Sequence, residues 1–91
     1  MQHIKTVIVD GKALEYFITD PDNEFMEYGV CAKYDNEIEV VEPISSDYQF
    51  VYDLAISLAE SYTMPDFIEE LCEDAIISNT FIELIEEEKW I

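Results

Sequence analysis

Arginine is missing from this chain of 91 residues, and lysine occurs only at Lys5, Lys12, Lys33 and Lys89. Phosphates are gripped by lysine and arginine, so direct binding to nucleic acid or to anionic membranes is excluded. No apolar run approaches the roughly 18 residues of a spanning helix. Glycine occurs only at Gly11 and Gly29, which leaves no phosphate-cradling loop. The one histidine, His3, reads as an exposed residue near the N-terminus, and it supports no Ser-His-Asp or Cys-His set. Cys31 and Cys72 form no CxxC pair and read as two reduced, buried thiols. The stretch MQHIKTVIVDGK has too short an apolar run and too early a charge for a signal peptide, so a cytoplasmic protein is expected. Asp20, Asp22 and Glu24 stand at the first, third and fifth positions of a calcium loop. Phe25 and Cys31 occupy the sixth and twelfth, where glycine and glutamate are needed. These gaps point to a non-enzymatic protein with no cofactor and no metal.

What the chain has in excess is negative charge. It carries 22 acidic residues and a formal net charge of −18. A small domain needs a magnitude of only about 2–8 for solubility, and charge beyond that strains the compact state by self-repulsion. Disorder is opposed by a hydrophobic content of 49% and an aromatic content of 13%. The expectation is one folded domain over residues 1–91, its charge retained for use.

The first half predicts strands. Ile4–Val9 is β-branched and ends at Asp10-Gly11, a strong hairpin signal because a type I′ turn needs positive φ at both central positions. Ala13–Ile18 is the return strand, residues 19–24 a loop, and Phe25–Tyr34 a third strand. Asp35-Asn36 makes a second tight turn into a fourth strand, Glu37–Val41, which Pro43 breaks. Alternation there places Ile38 and Val40 on a buried face and Glu37 and Glu39 on a wet one.

The second half predicts helices. Ser46-x-x-Gln49 fits a capping box, followed by Phe50, Leu54, Leu58 and Tyr62 at four-residue steps, with Val51, Ala55 and Ala59 beside them. Pro65 suits the first turn of a second helix, whose buried face reads as Phe67, Ile68, Leu71, Cys72, Ala75 and Ile76. Ser78-Asn79-Thr80 favours a break before a third segment with Phe81, Ile82, Leu84, Ile85 and Trp90. One continuous helix to about residue 89 is the alternative, since serine and asparagine weaken a helix without forbidding it. The fold class is therefore α+β: a small four-stranded antiparallel meander (residues 1–42) followed by two or three helices (46–91) packed on one face.

The order Tyr28-Gly29-Val30 in a strand, then Met64-Pro65-Asp66-Phe67, then Leu71-Cys72-Glu73-Asp74-Ala75-Ile76 resembles a family of short bacterial proteins of unassigned function. The resemblance covers about residues 7–77. Residues 80–91 look like an addition, and Cys72 stands where an apolar branched residue is usual. It implies the same fold outline and brings no activity.

The acids interleave with the apolar stripe. Asp66, Glu69, Glu70, Glu73 and Asp74, then Glu83, Glu86, Glu87 and Glu88, fall largely at helical steps. Residues three and four apart share a helix face, about 5–6 Å from one another. Residues 47–91 hold 12 acids against one lysine, whereas an ordinary solvated face mixes signs. Duplex DNA presents one negative charge per about 1.7 Å of axis, and ordered rows of carboxylates offer a comparable field. The partner must then be a basic protein, a nucleic-acid-binding protein or nuclease. By size and charge the chain resembles phage-encoded anti-CRISPR and other DNA-mimic inhibitors. An adaptor or structural module, in one form a homodimer joined through an exposed apolar stripe, is the alternative.

Overall fold

The computed structural model describes residues 1–88, with side chains through Ser78. Four strands, β1 (Gln2–Val9), β2 (Lys12–Thr19), β3 (Tyr28–Tyr34) and β4 (Glu37–Ser45), precede two helices, α1 (Tyr48–Glu60) and α2 (Pro65–Glu88). The strands form one antiparallel meander in the order β1-β2-β3-β4. At the first turn Asp10 and Gly11 take φ of 52° and 77°, the left-handed pair that the Asp-Gly dipeptide supplies. The second turn again places an aspartate, Asp35, at positive φ (54°).

Register sorts the side chains between faces. Directly opposed residues share a face, so Leu14, Tyr16 and Ile18 of β2 align with Tyr34, Ala32 and Val30 of β3. All but half-buried Tyr34 are buried, beneath Val51, Leu54, Ala55, Leu58 and Ala59 of α1 and Ile68 and Cys72 of α2. Helix α1 lies against all four strands, and α2 chiefly against β4 and β3. Each large apolar side chain so buried contributes about 1.5–3 kcal/mol.

Three expectations are corrected at β4 and α1. Pro43 does not end β4: the strand continues to Ser45, with Pro43 in an irregularity of the pairing between Val30↔Val41 and Tyr28↔Ser45. β4 is an edge strand, and an edge or a bulge is where a residue without an N–H is tolerated. Ile38 and Val40 are exposed, at 60% and 40%, rather than buried. The two-residue turn pairs Tyr34 with Glu37, which turns Glu37 and Glu39 to the helix side and Ile38 and Val40 outward. The N-cap of α1 is Asp47, not Ser46: its carboxylate accepts hydrogen bonds from the N–H groups of Gln49 (3.0 Å) and Phe50 (3.3 Å).

α2 is continuous. The break expected at Ser78-Asn79-Thr80 does not occur, and the backbone stays helical to Glu88. Trp90 lies outside the described residues. The polar triplet supplies a competing cap, but the helical hydrogen-bond ladder outweighs a preference of a few tenths of a kcal/mol per residue.

Candidate interaction surface

Pro65 opens α2 at a position where its missing N–H costs nothing, and Asp66 in the first turn sits favourably at the positive end of the helix dipole. Pro65, Ile68 and Cys72 are buried, with Ala75 and Ile76 half-buried. That spacing fixes the rotation of the helix. Asp66, Glu69, Glu70, Glu73 and Asp74 are all exposed. At about 100° per residue they cover an arc of about 140° on the side away from the sheet.

Nothing neutralises that arc among the described residues. Lys5 and Lys12 lie on β1 and β2 and Lys33 on β3, and neither α1 nor the described side chains of α2 include a cation. The described ion pairs are Lys12–Asp35 at 3.2 Å and the N-terminal amine with Asp20 at 3.1 Å, both on the sheet and its loops. Glu83, Glu86, Glu87 and Glu88 belong to the same helix by backbone, and their side chains lie outside the described set.

The elbow between the helices holds what the periodicity misplaced. Tyr62, expected in the buried stripe of α1, lies beyond its end with φ of 52° and is 57% exposed. Phe67 and Leu71, expected in the buried face of α2, are 58% and 41% exposed. Together with Met64 and Glu70 they line an open groove of about 440 Å³. The groove arises because α2 lies over the β3–β4 side of the sheet, so one flank of its wide apolar stripe finds no cover.

The elbow itself is tightly built. The N–H of Tyr62 donates to Ala59 O (3.1 Å) and that of Thr63 to Leu58 O (3.0 Å), a Schellman closure with tyrosine where glycine is usual. From below, the Tyr16 hydroxyl donates to Thr63 O at 2.7 Å. Burial pushes the Tyr16 phenol up to about 12.

The remaining reactive groups are held apart from this surface. Cys72 is fully buried under α2, and burial pushes its thiol up to about 11. The Cys31 thiol, on the other face of the sheet, is raised first by burial and then by Glu39, with Lys33 acting against both. Raised thiols are poor nucleophiles. His3 is exposed, hydrogen-bonded to Thr6 Oγ1 at 2.7 Å and edge-on to Phe17. In the loop after β2, Asn23 organises the chain: its Oδ1 accepts from the N–H groups of Phe25 and Glu27, and its Nδ2 donates to Glu27 O. Among the described residues no three His, Cys, Asp or Glu side chains converge to hold an ion, and no helix is long and apolar enough to cross a membrane. No family model, curated protein or solved structure matches the chain.

Proposed function

We propose that this protein is a non-enzymatic acidic binding protein that mimics nucleic acid and inhibits a basic nucleic-acid-binding protein, an anti-CRISPR protein that blocks a CRISPR nuclease being the specific form. One observation carries the reading: five exposed carboxylates share one arc of α2, and no described cation pairs with them. A helix surface that served only solubility would gain from i,i+4 pairing of opposite charges. A single-sign arc raises the local potential, speeds encounter with a cationic groove and competes with the phosphates that normally occupy it.

The test is a salt series of binding to a CRISPR nuclease, with DNA as competitor. Affinity should fall steeply as salt rises, and DNA and the protein should exclude each other. Replacing Asp66, Glu70, Glu73 and Asp74 together by lysine should abolish inhibition, whereas lysine at Glu15, Glu27 and Glu37 should cost much less. Binding that ignores salt, or simultaneous binding of DNA, rejects mimicry. Equal loss from the two sets of reversals assigns the effect to net charge and not to α2.

A second reading, an adaptor that pairs with a copy of itself, is favoured by a different observation. The sheet face away from the helices exposes Ile8 (63%), Ile38 (60%) and Val40 (40%). Light scattering over a concentration series decides it: a mass that stays monomeric removes this reading.

A further inference from the structure

The groove at the helix elbow and the acidic arc run side by side. Phe67 and Leu71 are one turn apart on α2, and Asp66, Glu70 and Asp74 form the adjoining row at the same spacing. Glu70 itself borders the groove. Tyr62, at the elbow, takes the left-handed conformation that a non-glycine residue adopts at a cost, and the residue is 57% exposed. Its burial therefore does not offset that cost within the chain.

We propose that this elbow is a docking site for one basic polypeptide segment, whose apolar side chain fills the groove while its flanking lysines or arginines engage Asp66, Glu70 and Asp74. Charge complementarity selects the occupant. A second copy of the chain would set this row of carboxylates against carboxylates, and the phosphates of a nucleic acid or an anionic lipid would be repelled by it. A cation alone leaves Phe67, Leu71 and Tyr62 wet. A segment with an apolar anchor between positive charges satisfies both stripes at once. This rests on the reading that the acidic surface binds a basic protein and adds to it the anchor that supplies specificity.

The probe is a short, fluorescently labelled lysine-rich helical peptide with two leucines one turn apart, compared with a charge-matched control carrying serine in their place. The leucine peptide should bind at least about tenfold more tightly, the ratio expected for burial of one large apolar side chain. Changing Phe67→Ser with Leu71→Ser should erase that preference and leave affinity for the serine peptide unchanged. Tyr62→Gly should also weaken the preference while raising Tm, because glycine relieves the left-handed backbone. It keeps the test decisive if the double variant fails to fold. Equal binding of the two peptides, with steep salt dependence, overturns the groove and spares the acidic surface. Failure of both peptides to bind overturns both. A preference that survives either variant places the anchor elsewhere and rejects the site.

Discussion

Replacement of Tyr16 by phenylalanine probes the contact that joins the sheet to the helix elbow. The side chain has no exposed surface, and its hydroxyl donates to Thr63 O at 2.7 Å across 47 residues of chain. Phenylalanine keeps the ring and strands a carbonyl in a site shielded from water. Leaving one buried partner unsatisfied costs about 1–3 kcal/mol, and we take about 1.5 kcal/mol. For a domain of this size that lowers Tm by about 6–12 °C at pH 7. The pH dependence gives a second signature. The folded phenol, at about 12, lies above its ordinary value of 10.0, so its stabilising share is whole below pH 10 and is lost as pH climbs through 12. The loss runs at about 1.36 kcal/mol per pH unit once the unfolded chain ionises. The gap between wild type and Tyr16→Phe should thus close near pH 11. Cys72 also titrates with a raised value, but it is common to both proteins and cancels in the difference. Thermal melts at pH 7 measure the change in Tm, and urea melts from pH 7 to 11 measure this gap, both followed by far-UV circular dichroism. An unchanged Tm at pH 7, or a gap that stays constant across the alkaline range, refutes the reasoning.

Thermal stability should rise with added salt. Between Asp66 and Asp74 of α2, five acid pairs stand three or four residues apart (66–69, 66–70, 69–73, 70–73 and 70–74), and screening of a net ~1 kcal/mol predicts a gain of about 4–8 °C in a salt-series melt. Gly29→Ala should cost about 2–3 kcal/mol by chemical denaturation, because a Cβ there would strike the Glu42 side chain and the Val41 carbonyl oxygen of β4, backbone that cannot yield cheaply. Asp47→Ala should cost about 1 kcal/mol in the same assay through loss of the two cap bonds at the start of α1, with Ser46→Ala close to neutral.

The sequence made the outline of this fold legible wherever one local rule dominated. Asp10-Gly11 dictated the first hairpin, Pro65 marked the start of α2, and the period of Leu54 and Leu58 with Val51 and Ala55 located the buried face of α1. What local rules missed depends on neighbours. Alternation told that Ile38 and Glu39 point opposite ways, but only pairing of Tyr34 with Glu37 decided which way. Proline reads as a strand breaker until the strand is known to be an edge. The acidic residues of α2 through Asp74 were placed correctly on the exposed side because the buried stripe fixed their phase. Tyr62, Phe67 and Leu71 were not, because hydropathy assigns a width to the apolar stripe and only the sheet's finite extent says how much of it is covered. The turn at Tyr62 carried no glycine to announce it.

The elbow's construction bears on the thermodynamics of association. Its backbone is closed by two amide hydrogen bonds from above and held by the Tyr16 hydroxyl from beneath. A receptor so braced surrenders little freedom when occupied, beyond the rotamers of a few surface side chains. Complex formation at this corner should then proceed with the main chain of the host nearly unmoved, and the entropy cost should fall chiefly on the incoming segment.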